Sequence, residues 1–251
     1  MGSRTSERAG IVCSSAARRR WLHTAAAAAA LHCSLLAPAL WLAAGTPARA
    51  QGATPPASAA VPRTAAGKTL LVVGDSLSAE YGLARGQGWV ALLQKRLAQE
   101  RVDFKVVNAS ISGDTTSGGR SRLPALLREH RPQVVVLELG GNDALRGLPL
   151  AMTEANLLEM ARRSKAAGAR VLVAGMAVPP NYGRSYGESF MALFPKVARA
   201  EGAALVPFML AGVADGPEAE TLFQPDRIHP KAEAHPRILD NIWPALKPLL
   251  R

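Results

Sequence analysis

Three residues of the sequence have the side chains of a catalytic relay for acyl transfer: Ser76, Asp226 and His229. Ser76 ends the string Val-Val-Gly-Asp-Ser, whereas Asp226 and His229 lie three positions apart near the carboxyl terminus. A histidine can take the proton of a serine hydroxyl, and an aspartate can fix the tautomer of that histidine. The types and spacing of these residues therefore predict an activated serine nucleophile, as in a hydrolase.

Two further positions offer hydrogen-bond donors for the oxyanion that forms in acyl transfer. Gly113 lies in the string Ser-Ile-Ser-Gly-Asp, where a glycine lets a backbone N–H approach a ligand closely. Asn142, in the string Gly-Gly-Asn-Asp, offers a side-chain amide. Together with the backbone N–H of Ser76 they predict an oxyanion hole, in which the loss of one donor costs on the order of a hundredfold in rate.

Apolar, strand-like runs precede Ser76, Gly113 and Asn142, and helix-like stretches alternate with them. This alternation predicts βαβ units and an α/β fold, with a parallel sheet covered on both faces and the chemistry at the carboxyl ends of the strands. Strands are predicted near 69–74, 104–108, 133–138, 170–175 and 204–206. Helices are predicted near 88–100, 117–129, 153–167, 185–201 and 231–249.

In their order and spacing, the four strings resemble the sequence blocks of the GDSL, or SGNH, hydrolases. Ser76, Gly113, Asn142 and His229 match the four lettered residues, and the resemblance covers about 68–250. It implies a three-layer, flavodoxin-like fold with a five-stranded parallel sheet, in a single hydrolase domain over 68–251. Each block alone is common loop chemistry, but four in order, each near the end of a strand-like run, are specific.

The resemblance also implies a serine esterase for carboxylic esters and thioesters, of the acyl-CoA thioesterase, lysophospholipase or arylesterase type. An acyl-enzyme would form on Ser76, and no cofactor or metal is expected. Leu145, Pro180 and Tyr182 are expected to flank an apolar acyl groove, with packing alone as their alternative role. Two other functions remain open: a carbohydrate O-acetyl esterase of the same fold and a non-catalytic binding module of the cell envelope.

Histidine usage narrows the choice of the base. After residue 50 the sequence contains His130, His229 and His235. His130 lies among charged residues at a predicted helix end, and His235 precedes a proline in the last helical stretch, so we expect the first to be solvated and the second to pack or to face solvent. His229 is therefore the predicted base. The sequence also has no His-x-x-x-His pair or cysteine cluster, so no metal site is predicted.

The first fifty residues predict an export signal. The string Arg-Arg-Arg-Trp-Leu is followed by an apolar run and then by Ala-Arg-Ala at 48–50, which favours cleavage after Ala50 and a periplasmic or secreted protein. The general secretory and twin-arginine routes both stay open, as does an uncleaved membrane anchor. Both cysteines, Cys13 and Cys33, lie in this segment. An Ala/Pro/Thr/Ser-rich stretch over 51–67 predicts a flexible linker.

Charge indicates the kind of partner. The whole chain carries a formal net charge of +11, and without 1–50 it has 24 basic and 18 acidic residues, a net charge of +6. This excess favours encounter with anionic small-molecule substrates or lipid surfaces. Since no string mixes aromatic and basic residues for base stacking, nucleic acid is not an expected partner. We expect a monomer without stable membrane insertion once the leader is removed.

Overall fold

The computed structural model describes residues 67–251. The predicted signal peptide and all but the last residue of the predicted linker lie outside the described residues. Five parallel strands form one sheet in the order β2-β1-β3-β4-β5. This order confirms the predicted flavodoxin-like α/β fold. The strands are β1 Lys68–Gly74, β2 Phe104–Asn108, β3 Val134–Glu138, β4 Arg170–Ala174 and β5 Ala204–Val206.

The central strands are apolar because both faces of the sheet are covered. Leu70 to Val73 of β1 and Val134 to Leu137 of β3 are fully buried. Parallel sheets that carry helices on both faces favour such continuous Val, Ile and Leu runs. In the register of the sheet, Gly74 at the end of β1 lies beside Glu138 at the end of β3. The loops after these strands therefore begin side by side.

Seven α-helices surround the sheet within the described residues. Helix α1 packs on α7, while α2 packs on α4 and α4 on α5, which gives the two outer layers. Among the described residues, no helix combines the length and the hydropathy needed to cross a bilayer. The helices are α1 Trp89–Gln99, α2 Thr116–His130, α3 Gly141–Leu145, α4 Leu150–Ala166, α5 Arg184–Glu201, α6 Ala219–Leu222 and α7 His235–Leu246.

The helix predictions differ from the structure in three places. The short helices α3 and α6 were not predicted, because four or five residues carry no measurable 3.6-residue period and α3 begins among glycines, which are poor helix formers. Helix α4 begins three residues earlier than predicted, at Leu150, directly after Pro149. The stretch predicted as a helix over 231–249 divides into α7 and two flanking 3-10 turns, Ala232–Ala234 and Lys247–Leu250.

Candidate active site

The turn that follows β1 presents Ser76 at the carboxyl edge of the sheet. The carbonyl of Asp75 accepts hydrogen bonds from the N–H groups of Ser78 at 3.2 Å and Ala79 at 3.0 Å. The Asp75 carboxylate accepts another from the N–H of Leu77 at 3.0 Å. The side chain of Asp75 is thus used to close the turn, while the Ser76 hydroxyl remains partly exposed at its start.

A second loop carries Asp226 and His229. Its two arms are joined by an antiparallel bridge between Phe223 and Pro230, and the N–H of Gln224 donates to the carbonyl of His229 at 2.8 Å. At the tip, Asp226 Oδ1 accepts hydrogen bonds at 3.0 Å from the N–H groups of residues 228 and 229. The three-residue spacing noted in the sequence is therefore the spacing of one tight, internally bonded turn.

The two loops bring the three predicted triad residues into one relay. His229 Nε2 lies 2.8 Å from Ser76 Oγ, and His229 Nδ1 lies 2.7 Å from Asp226 Oδ2. Because a carboxylate only accepts hydrogen bonds, this network places the proton on Nδ1 and leaves Nε2 free to accept the serine proton. Partial burial opposes ionisation of Asp226, but the hydrogen bonds from His229 and the N–H of Ile228 outweigh it and lower its pKa.

The three predicted oxyanion donors belong to the segments that follow three neighbouring strands, Ser76 after β1, Gly113 after β2 and Asn142 after β3. Within residues 67–251, the N–H groups of Ser76 and Gly113 donate no hydrogen bond to another residue. The side chain of Asn142, in α3, donates one of its two amide hydrogens to Asp75 Oδ2 at 3.0 Å, which leaves the second hydrogen available. These free donors can bind the negative charge that develops on a carbonyl oxygen.

Two arginines hold the loop that carries Gly113. Gly113 has φ +79°, a conformation that strongly favours glycine. Its carbonyl accepts a hydrogen bond from Arg146 at 2.8 Å. The neighbouring Asp114 is paired with Arg122 at 2.8 Å, and Arg122 also donates to the carbonyls of Ala109 and Gly74. Arg122 therefore connects the loop after β2 to the end of the nucleophile strand; sequence reasoning missed both arginines.

Sequence analysis also missed a buried carboxyl behind the nucleophile turn. Glu138 is fully buried; its Oε2 accepts hydrogen bonds from Ser78 Oγ at 2.5 Å and from the N–H of Asp75 at 3.3 Å. A Cβ on Gly74 would lie 2.5 Å from the same oxygen, so only glycine fits beside it. The signal in the sequence is a glutamate that ends an otherwise apolar strand.

Burial sets the protonation of this carboxyl pair. It raises the pKa of Asp75 to about 6, against hydrogen bonds from Leu77 and Asn142 that lower it. Burial and the nearby Asp75 charge raise the pKa of Glu138 well above its ordinary value. Since like charges this close disfavour double ionisation, burial and the Asp75 charge both favour the protonated form of Glu138.

Replacement of Glu138 by glutamine is expected to make stability less dependent on pH. Below the ordinary glutamate pKa of 4.5, Glu138 is protonated in both the folded and the unfolded chain. As the pH rises above that value the unfolded chain releases this proton at lower pH than the folded protein does, because the pKa of Glu138 is raised in the fold, so the wild type loses stability that Glu138→Gln does not lose. From pH 4 to pH 7.5, the free energy of unfolding of the variant, relative to wild type, should rise by about 1 kcal/mol or more. Urea unfolding at both pH values measures this difference, and an unchanged difference would mean that Glu138 ionises in the folded protein.

Two of the three expected substrate-binding residues are connected to α3, the helix that carries Asn142. Leu145 ends α3, the helix that carries Asn142, and its carbonyl accepts a hydrogen bond from the Tyr182 hydroxyl at 3.3 Å. Pro180 is exposed and begins the 3-10 turn Pro180–Tyr182. The structure therefore brings Leu145 and Tyr182 together, and Pro180 begins the turn that Tyr182 ends.

The remaining histidines and acids have other surroundings. His235 is buried and its Nδ1 accepts the N–H of Trp89 at 3.0 Å, which confirms that it packs. Burial lowers its pKa, so it is neutral. His130 ends α2 beside Glu129. Among residues 67–251, no group of three or more His, Cys, Asp or Glu side chains is arranged to hold a metal ion.

A flavodoxin-like parallel sheet with a Ser-His-Asp relay at its carboxyl edge defines an α/β serine hydrolase. Residues 72–237 match the GDSL-like Lipase/Acylhydrolase family. The chain is 57% identical to Esterase TesA of Pseudomonas aeruginosa, over 74% of this chain and 91% of that protein. It is 44% identical to Thioesterase 1/protease 1/lysophospholipase L1 of Escherichia coli K12, over 75% of this chain and 88% of that protein.

The chain is also similar to a solved esterase structure. The psychrotrophic esterase EstA from Pseudoalteromonas sp., inhibited by monoethylphosphonate, superimposes with a TM-score of 0.68 at 39% identity, over 73% of this chain and 98% of that chain. The chain belongs to the GDSL-like lipase/acylhydrolase family, as the four sequence blocks indicated. It is a serine hydrolase of ester bonds.

Proposed function

We propose that Ser76, His229 and Asp226 are the catalytic residues of this esterase, with the oxyanion held by the N–H groups of Ser76 and Gly113 and by the Asn142 amide. The observation that carries this proposal is the continuous relay of 2.8 Å and 2.7 Å from the Ser76 hydroxyl through His229 to Asp226. These distances fit the geometry that a general base requires. The support for the oxyanion donors is that Ser76, Gly113 and Asn142 follow the ends of three neighbouring strands, and that Asn142 contacts Asp75, which directly precedes Ser76.

The reaction proceeds in two balanced steps. In the first, Ser76 Oγ bonds to the carbonyl carbon, its proton passes to His229 Nε2, and the bond to the alcohol or thiol breaks as that group takes the proton. In the second, water gives its proton to His229 and attacks the acyl-enzyme, and the serine oxygen recovers the proton as the acid leaves. Asp226 keeps its negative charge throughout and stabilises the imidazolium.

The proposed substrates are carboxylic esters and thioesters of medium to long acyl chains, including lipid esters. The names Esterase TesA and Thioesterase 1/protease 1/lysophospholipase L1 support ester, thioester and lysophospholipid substrates. In this proposal the acyl chain extends along α3 from Asn142, where Leu145 contacts Tyr182 and Pro180 begins the same 3-10 turn. The net charge of +6 after residue 50 favours the approach of anionic substrates. We propose that the enzyme acts as a monomer.

We also propose that the protein is exported. The support is the sequence of 1–50, with its basic region, apolar run and Ala-Arg-Ala site. Hydrolysis of envelope or extracellular esters would follow from this location. Mass spectrometry of the protein recovered from the periplasm and the medium tests it, because cleavage after Ala50 leaves a mature chain that begins at Gln51.

A fluorophosphonate probe tests the nucleophile. Such a probe bonds only to an activated hydroxyl, so intact-mass analysis of the wild type should show one adduct, which peptide mapping places on Ser76. The matched control is Ser112→Ala, since Ser112 is an exposed serine in the loop that carries Gly113. This variant should keep the adduct and Ser76→Ala should lose it. A folded wild type without an adduct would instead support a binding module.

A chain-length series tests the substrate class. We expect p-nitrophenyl esters to give a higher kcat/KM with octanoyl than with acetyl groups, because an apolar groove gains about 0.8 kcal/mol for each buried methylene. A strong preference for acetylated sugars would instead indicate the carbohydrate O-acetyl esterase. The relatives named above do not favour that alternative.

A further inference from the structure

An exposed aromatic ring covers one face of the proposed base. The ring centroids of Tyr81 and His229 lie 4.3 Å apart, with an angle of 37° between the planes. Tyr81 nevertheless keeps 49% of its surface exposed, and Ile228, which directly precedes His229, keeps 39%. Single exposed apolar residues are ordinary on protein surfaces, but Tyr81 contacts this histidine and Ile228 precedes it in the same turn.

Hydrogen bonds of the backbone hold Tyr81 beside His229. The N–H of Tyr81 donates to the carbonyl of Ser76 at 3.4 Å. The side chain of Gln224 donates to the carbonyls of Tyr81 at 2.9 Å and Pro230 at 3.1 Å, which connects the nucleophile loop to the histidine loop. Both loops therefore fix the backbone of Tyr81. One face of its ring contacts the imidazole, and the exposed part of the side chain is available to contact a ligand.

The positions of the oxyanion donors and of the base determine which part of the substrate lies against the Tyr81 ring. The oxyanion donors Gly113 and Asn142 fix the carbonyl group. The departing oxygen or sulfur must lie within hydrogen-bond distance of His229 Nε2, because that nitrogen supplies its proton. The leaving group therefore extends along the histidine side of the site, past the exposed parts of Tyr81 and Ile228, whereas the acyl chain extends toward Leu145 and Tyr182.

We propose that Tyr81 and Ile228 form a leaving-group subsite that binds a flat, apolar alcohol or thiol, an aromatic ring above all. This inference rests on the proposed roles of Ser76 and His229. An aromatic leaving group can stack on or meet the edge of the Tyr81 ring, and such aromatic pairs give about a tenfold preference. The subsite acts only while the leaving group is present, that is, in formation of the acyl-enzyme.

The test compares two hexanoate esters with leaving groups of similar acidity, one aromatic (phenyl) and one aliphatic (hexafluoroisopropyl). In the wild type, kcat/KM should favour the phenyl ester. In Tyr81→Ala this preference should fall by about tenfold, whereas Tyr81→Phe should keep it, because phenylalanine retains the ring. Ile228→Ala should lower it to a smaller extent. Met191→Ala, which truncates a side chain of α5 that is 42% exposed, is the control and should leave the preference unchanged.

The rate of deacylation separates the subsite from a role in positioning His229. The leaving group has departed before water attacks, so Tyr81→Ala should slow the burst with p-nitrophenyl hexanoate while the later hydrolysis of the acyl-enzyme keeps its rate. Equal losses for both esters, or a matching loss in deacylation, would show that Tyr81 only supports the histidine and would overturn the subsite. Failure of the proposed function is distinct, since it would remove the phosphonate adduct on Ser76 from the wild type as well.

Discussion

Replacement of Ser76 by alanine is expected to lower kcat for a p-nitrophenyl ester by about four orders of magnitude or more, with little change in KM. In the proposed mechanism the hydroxyl forms the covalent bond to the acyl group, so without it only the oxyanion donors and substrate binding can assist attack by water. Replacement of His229 by alanine should cost a similar factor. The two residues lie 2.8 Å apart and would carry out one proton transfer in the proposed relay.

The combined variant makes this prediction specific. Because Ser76 and His229 work as a unit, Ser76→Ala/His229→Ala should be no slower than the slower single variant by more than about threefold. Steady-state kinetics over a wide range of enzyme concentration measure all three, with Ser112→Ala as the control of unchanged activity. Losses that multiply would mean that the two side chains act independently, which contradicts an acyl-enzyme mechanism through this relay.

The sheet and most of the placement of the three proposed triad residues could be predicted because their signals are local. A buried parallel strand is a short apolar run, so the strands ending at Gly74 and Glu138 were located almost to the residue. Asp226 and His229 share one turn, so their spacing in sequence is also their spacing in space. Only the contact between His229 and Ser76 depends on the whole fold. It was predicted from the order of the four sequence blocks, because local spacing does not indicate it.

The partners of the catalytic groups could not be predicted in the same way. Arg122, Glu138 and Gln224 contact the site through carbonyls and carboxylates that lie far away in sequence, and no periodicity or spacing marks such contacts. Glu138 also contradicts the expectation that a buried strand is apolar. Glu138 lies where the ends of β1 and β3 meet, and Gly74 leaves space there for its carboxyl group.

The hydrogen bonds of Asp75 explain how the Asn142 amide is oriented. The two oxygens of Asp75 have separate tasks: Oδ1 accepts the N–H of Leu77 and Oδ2 accepts one hydrogen of the Asn142 amide, each at 3.0 Å. Asp75 is only 2% exposed, so water cannot take over either task. We infer that Asp75 is a positioning residue, which closes the nucleophile turn and turns the second Asn142 hydrogen toward the oxyanion.

Asn142→Ala is expected to lower kcat by about 100- to 1,000-fold, because one oxyanion donor is removed. Asp75→Asn should lower it by about tenfold or more, since an asparagine offers one acceptor oxygen for two N–H donors. If Asp75 acts through Asn142, the same Asp75→Asn change in an Asn142→Ala background should cost less than about threefold, a strong coupling in a double-mutant cycle. KM should change little in each variant, and urea unfolding provides the stability of all four proteins. Additive losses in kcat would instead assign Asp75 to the turn alone, and the Asn142 amide would then owe its direction to α3.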